Sequence, residues 1–553
     1  MAGMAVNYIR DLKREFSGYN ADNLGQDAFA GATVAAVALP LALAFGVGSG
    51  ADGVSGLISA IIAAFIIGGL SGASFQIAGP TGAMTAVLIP LSINFGLSGV
   101  LAAGLISGVI LVVAGLCRAG RIIKLIPVPV ITGFTSGIAV IIALGQLEPF
   151  FGVTSEGSGT LERAVFMFAQ DFQPNLFAVA IGIAVILIQV FWPAKWAARI
   201  PGSLVGITFA ALVASLFGMP VATVGAIPRT LIHESRLTFS SFLLNLSNPI
   251  VVAGTSIALL GMIESLLCGV AGGRMKGEKL DVDRELVAQG IGNIVLPFLG
   301  GVPATAAIAR TSVAIKTGCR TRITGFVQGI VLLLSMFLLA PLMSRIPLSA
   351  LSGVLMVTAW RMNEWSSIRY IFGRGFHLGS AKFLVTLACT VAFDLTIAIA
   401  AGVFCAVMAF VLNVANLVVT VSEIDPARLR GKDKPERHTQ VVYVTGPMFF
   451  AAMDNFESAI ANAKAATLIF SMRGVPYIDI SGAHMLWAFC KNRKQRGDTI
   501  LFVAIQPKVK KTLDKAGITD VVGPESFFGD AIAAFDAINN MQPIQQSSTI
   551  SGR

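Results

Sequence analysis

The apolar character of this chain stops at one place. About fourteen apolar stretches follow one another between residues 28 and 421, and a tail of about 130 residues with ordinary charge comes after them. A run of about 18 or more apolar residues can satisfy its own backbone inside a bilayer only as a helix. The chain is therefore expected to be a polytopic α-helical membrane protein of about 14 spans with a small α/β domain appended. The expected segments are an N-terminal stretch at 1–27, a membrane domain at 28–421, a linker at 422–439, a folded tail at 440–540 and a disordered end at 541–553.

Charge supports that reading. Only 13% of residues are charged, about half the share in soluble domains. The formal net charge of +10 does not point to nucleic acid, because the basic residues sit in short loops. They recur on every second connection: Arg118, Arg121 and Lys124; Lys195 and Arg199; Arg274, Lys276 and Lys279; Lys316, Arg320 and Arg322; Arg361, Arg369 and Arg374. The connections between them are poorer, with Arg163 in one and Arg229 and Arg236 in another. The positive-inside rule then puts the basic loops and both termini in the cytoplasm, which requires an even number of spans. Arg10, Lys13, Arg14 and Glu15 read as an amphipathic lead-in rather than a cleaved leader. The six cysteines have no metal spacing and read as packing residues; the four histidines are dispersed, and no nucleophile–base constellation suggests an enzyme.

Two apolar segments are interrupted alike, one at Gly79-Pro80-Thr81 and one at Val302-Pro303-Ala304-Thr305. Pro80 and Pro303 lie 223 positions apart, and Pro127 and Pro347 lie 220 apart. Two matches at nearly one offset indicate a duplication of about seven spans, and an odd number of spans per copy inverts one copy against the other. Proline suits the first turn of a helix, and irregular backbone survives at membrane depth only where protein covers it or it lines a cavity. Each motif is thus expected to feed a half-helix, and the two N-termini would face each other as an anion site. Gly79, Pro80, Thr81, Val302, Pro303, Ala304 and Thr305 are the candidate seat, with Gln76 a further polar neighbour. The competing reading is a pair of packing kinks.

Ionisable groups at membrane depth are costly and therefore suggest function. Glu264 stands in an apolar run with no Lys or Arg within nine residues. It reads as a proton-carrying carboxylate or as a structural one. Arg310 is placed two turns into the second half-helix, where it either adds positive potential to the site or neutralises Glu264. Pro40 and Leu41 are the first-span counterparts of Glu264 and would wall the cavity. Asp394 reads as a cap. In the tail, strands at Gln440–Val444, Leu468–Met472 and Thr499–Ala504 alternate with helices at Asp454–Lys464 and Gly482–Arg496. Ser481 is expected to cap the second of these helices, a place that also tolerates a phosphate.

The residues also carry a resemblance. Ala30-Gly31-Ala32-Thr33-Val34, Gly79-Pro80-Thr81, Gly133-Phe134-Thr135-Ser136-Gly137, Ala309-Arg310-Thr311 and Thr317-Gly318-Cys319-Arg320-Thr321 are similar to motifs of the SulP anion transporters, the bacterial branch of solute carrier family 26. The tail resembles a STAS domain, with Asp479-Ile480-Ser481-Gly482 in its signature turn. The resemblance implies seven-plus-seven inverted repeats divided into core and gate, elevator-like alternating access, a homodimer in the bacterial inner membrane and a cytosolic STAS domain able to bind a partner protein. It also implies an anion held between the third and tenth half-helices. The surroundings of Glu264 and Pro303 look most like the proton-coupled four-carbon dicarboxylate carriers of the family, which implies succinate or fumarate. The alternatives are bicarbonate or sulfate symport, an uncoupled channel, or a membrane-anchored regulator. Sodium-coupled relatives carry oxygen ligands at the positions of Glu264 and Cys268. A thiol is a poor ligand for a hard cation, so protons are expected ahead of sodium.

Overall fold

The computed structural model describes residues 2–120, 127–157, 159–169, 172–193, 196, 200–227, 230–393, 395–415, 417–423 and 438–540. Arg121, Lys124, Lys195, Arg199, Arg229, Asp394, most of the expected linker and the 541–553 end lie outside the described residues. The chain divides into two compact units, Met1–Phe404 and Cys405–Arg553.

Five helices, all in the first unit, are long and apolar enough to cross a bilayer, and six shorter apolar helices accompany them, of which Ala401–Val411 runs on into the second unit. The longest, Gly82–Leu116, is two helices joined at Gly96, whose φ of 65° breaks the hydrogen-bond ladder. Adding Val282–Leu299, which starts with charged residues, and the half-length Ile308–Lys316 gives fourteen membrane segments among the described residues.

The duplication is visible as a repeated order of elements. A 28-residue helix at Ala21–Gly48 and an 18-residue helix at Gly53–Leu70 lead to strand β1 (Ala78–Gly79) and the helix from Gly82. A 29-residue helix at Asn248–Lys276 and an 18-residue helix at Val282–Leu299 lead to strand β2 (Thr305–Ala306) and the helix from Ile308. β1 and β2 pair antiparallel, Ala78 with Ala306 and Gly79 with Thr305, as a two-fold relation between inverted copies requires. Pro127 and Pro347 match structurally, since each precedes a helix as its N-cap. Pro80 and Pro303 do not open their helices as expected. Helix begins two residues after Pro80 but five after Pro303, because the strand pair holds the intervening backbone extended.

These elements form one group, with Gly82–Leu116 packed on Asn248–Lys276 and Val282–Leu299. Lipid gives helices no hydrophobic drive to associate, so close van der Waals approach has to do it. Gly108 and Gly290 permit that approach: a Cβ on Gly290 would lie 2.6 Å from the Gly108 carbonyl oxygen. A second group comprises Val128–Gly145, Leu176–Phe191, Gly202–Leu216, Leu348–Met362 and His377–Ala392.

Two of the basic loops, 274–279 and 316–322, meet at one end. Lys276 Nζ donates to Arg320 O at 2.9 Å, and Asp27 accepts from Arg320 N, Thr321 N and the hydroxyls of Thr321 and Thr324. The N-terminal helix Ala2–Glu15 is fastened there too. Glu15 pairs with the buried Arg322 at 2.8 Å, and the Tyr8 ring lies against the guanidinium groups of Arg284 and Arg322.

The second unit is a five-stranded sheet in the order β3 (Val418–Glu423), β4 (Thr439–Thr445), β5 (Thr467–Gly474), β6 (Thr499–Val503) and β7 (Phe527–Phe528). β3 runs antiparallel to β4 and the other pairs are parallel. The β-branched run Val418-Val419-Thr420-Val421, which the sequence reading assigned to the end of the membrane domain, is an edge strand of this sheet. Both faces are covered, as parallel pairing demands: Val442, Phe470 and Phe502 pack under helices Ile480–Gln495 and Pro507–Lys515, while Val441, Ile469 and Leu501 pack under Ala531–Asn540. The N-cap of Ile480–Gln495 is Asp479, which accepts from Gly482 N at 2.8 Å. Ser481 lies inside the first turn, so the expected capping role belongs to the carboxylate two residues earlier.

Candidate anion-binding site

The first half-helix owes its start to local chemistry. Gly79 has φ of 153°, outside the range comfortable for side-chain-bearing residues, and Pro80 offers no N–H to a helix ladder. Thr81 is extended and caps Gly82–Leu116, accepting from Met84 N at 3.4 Å. The same hydroxyl donates to Glu264 Oε2 at 2.9 Å. On the other side, Ala307 is the N-cap of Ile308–Lys316 and has no side-chain bond to give. The first N–H groups of that half-helix are free of a capping side chain.

Arg310 is the third residue of this second half-helix, in its first turn rather than two turns in, because helix begins at Ile308. Its side chain is buried at 1% exposure. Nη2 donates to Pro80 O at 2.7 Å, which anchors a cation of one repeat on the backbone of the other. Nη1 is buried with no hydrogen-bond partner among the described residues. A Cβ on Gly79 would sit 2.4 Å from that nitrogen, so glycine is what lets the guanidinium lie against β1. No direct ion pair joins Arg310 to Glu264 among the described residues.

One face of Asn248–Lys276 organises both extended segments. Gly261 O accepts from the Thr305 hydroxyl at 3.3 Å, Glu264 accepts from Thr81, and Ser265 O accepts from Gln76 Nε2 at 2.7 Å. Cys268 donates to the Thr311 hydroxyl at 3.3 Å, and that oxygen also accepts from Ile77 N at 3.0 Å. Positions 261, 264, 265 and 268 share a helix face, which is why one element can serve two strands.

Within the candidate seat Val302–Thr305, several backbone groups are held by the protein itself. Val302 O accepts from Ser59 Oγ at 2.7 Å, Pro303 has no N–H, and Asn293 holds Ala304 at both ends, N to Oδ1 and Nδ2 to O, each at 2.8 Å. Asn293, Ser59 and the buried Glu285, which accepts from Ser71 Oγ and Gly72 N, escaped the sequence reading. The polar Asn293 in the run Ile-Gly-Asn-Ile-Val-Leu was the available signal. Pro40 and Leu41 lie buried in mid-helix, Leu41 in the same apolar core as Phe45, Met84 and Leu260. Among the described residues no group of His, Cys, Asp and Glu is arranged to hold a metal ion.

A sulfate permease family model matches residues 24–389, and a STAS domain model matches 432–531. The chain is similar to the putative sulfate transporter YvdB of Bacillus subtilis, 34% identical over 526 residues that cover 93% of this chain and 97% of the relative. It is 28% identical to the bicarbonate transporter BicA of Picosynechococcus over 536 residues, covering 91% and 92% respectively. In fold it resembles the murine Slc26a9 anion transporter in the inward-facing state, with a TM-score of 0.80 at 17% identity over 94% of this chain and 92% of that one.

Proposed function

The chain belongs to the sulfate permease family of anion transporters, and on that premise we propose that it is a secondary carrier moving a small oxyanion together with a proton. The observation that carries this reading is the buried Arg310 guanidinium with one nitrogen unpartnered between two opposed half-helix N-termini. The anion would accept from Nη1 of Arg310 and from the first N–H groups of the two half-helices, at Gly82 and Ala83 and at Ile308 and Ala309. Both dipole ends favour negative charge there.

Glu264 and Thr81 would couple the proton. The Thr81 hydroxyl has one hydrogen, and in the structure it goes to Glu264. When Glu264 takes up a proton, its carboxyl no longer needs that donor, and the Thr81 hydrogen is released towards the anion. A proton on one carboxylate would thus add a donor to the seat and remove a negative charge beside it. Proton and anion would load together, and an elevator-like movement of the first helix group would expose them on the other side.

Bicarbonate and sulfate are the substrates we favour, since the two relatives described above carry those anions in their names. The four-carbon dicarboxylate implied by the sequence resemblance stands behind them. The test is uptake of labelled bicarbonate, sulfate and succinate into proteoliposomes with and without an inward proton gradient. We expect gradient-driven uptake of one oxyanion that falls at least tenfold in Glu264→Gln. Thr81→Ala should raise KM and weaken the gradient dependence. Unchanged gradient-driven uptake in Glu264→Gln would overturn the coupling role, and uptake of succinate alone would overturn the substrate order.

A further inference from the structure

The half-helix that begins at the site also reaches a cavity before its break at Gly96. Thr81, Thr85, Ile89 and Ile93 stand at four-residue spacing and form one stripe along Gly82–Leu116. Thr85 donates to Thr81 O at 3.0 Å and lies 3.3 Å from Ser49 Oγ. Ile89 and Ile93 line a cavity of about 170 Å³ whose other walls include Gly48 of the first helix group and Gln146 and Ser352 of the second. A Cβ on Gly48 would lie 3.1 Å from Thr85, 3.4 Å from Leu355 and 3.6 Å from Gln146, so Gly48 is packed between a wall of the cavity and the stripe leading to Glu264. The cavity lies at the end of the helices away from the basic loops.

This apolar cavity contains two charged side chains, Arg163 and Glu148, paired at 3.0 Å and 28% and 16% exposed. Glu148 is held from behind by Ser155, whose N–H and hydroxyl both donate to Oε1. Arg163 is held less completely: Nη2 contacts Glu148 and, at 3.4 Å, Ser155 O, while Nε is buried with no partner among the described residues. A partly exposed guanidinium whose Nη2 is shared between Glu148 and Ser155 O, beside a carboxylate anchored by other donors, suits exchange, in which an arriving anion takes the guanidinium from Glu148.

We propose that this cavity is the outer antechamber of the carrier, where Arg163 recognises the incoming oxyanion and Glu148 competes with it. The inference rests on the chain being an anion carrier, and wild-type uptake tests that premise separately. It makes the two partners of one ion pair act in opposite directions. Arg163→Gln removes the attraction and should raise KM for external anion roughly tenfold with kcat retained, the size expected for one charge a few ångströms away in a partly aqueous medium. Glu148→Gln removes the competitor and should lower KM by several-fold, and Arg163→Lys should retain most of the wild-type affinity.

The measurement is initial-rate uptake of labelled sulfate and labelled bicarbonate into right-side-out vesicles, with efflux from the same vesicles as the internal comparison. External KM should move while internal KM stays. A merely structural ion pair would make both glutamine variants change in the same direction, and that result, or an unmoved external KM, overturns the proposal. Should Arg163→Gln fail to fold, Glu148→Gln and Arg163→Lys decide the question by themselves.

Discussion

At the scale of single residues, the site depends on one missing Cβ and one misplaced-looking cation. Gly79→Ala would put a methyl 2.4 Å from Arg310 Nη1 at a φ of 153°. Strain of that kind costs about 1–3 kcal/mol. We expect at least a tenfold loss of uptake and a lower melting temperature in detergent, and wild-type uptake by the variant would refute the contact. Glu264 was legible in the sequence because a carboxylate in an apolar run stands out. The placement of Arg310 was not, because the start of its helix is fixed by the pairing of Thr305 with Gly79 rather than by Pro303. Asn293 and Ser59 were silent for a different reason. Neutral polar residues are common in membrane helices, and nothing local reveals that these two reach the backbone of a segment elsewhere in the chain.

Among elements, the second extended segment is held by side chains that imitate a neighbouring strand. Asn293 gives Ala304 both an acceptor and a donor, as a β partner would. Asn293→Leu keeps the branched shape of the side chain but strands two buried backbone groups, at about 1–3 kcal/mol each. Thermal melting and uptake should both suffer, and equal stability of the two proteins would show that the segment is held by something else. The order of elements in each repeat was readable from the prolines, but the registers were not. Pro127 and Pro347 truly correspond, whereas Pro80 and Pro303 share a motif without sharing a structural position. Similar uncertainty affected the tail. Its central strands showed as apolar runs, while Val418–Glu423, adjoining the last membrane helix, was indistinguishable by composition from the end of a span.

For the molecule as a whole, the N-terminal helix binds together parts far apart in the chain. Glu15 pairs with Arg322, whose other donor reaches Gly69 O. Both side chains are nearly buried, at 8% and 4% exposure. Removing one partner of such a pair costs roughly 3–5 kcal/mol. Glu15→Gln should therefore melt well below the wild type, while Asp514→Asn, which breaks an exposed pair with Lys510, should cost under about 1 kcal/mol. Similar melting of the two variants would contradict this. The antiparallel crossing of β1 and β2 has a further consequence. Its backbone bonds, together with the Arg310 bond to Pro80, sew the two half-helix tips into a single knot, so the tips cannot part like jaws to pass an ion between them. In the carrier proposed above, cargo held there would travel with its holder, and the boundary that moves would be the one between the two helix groups.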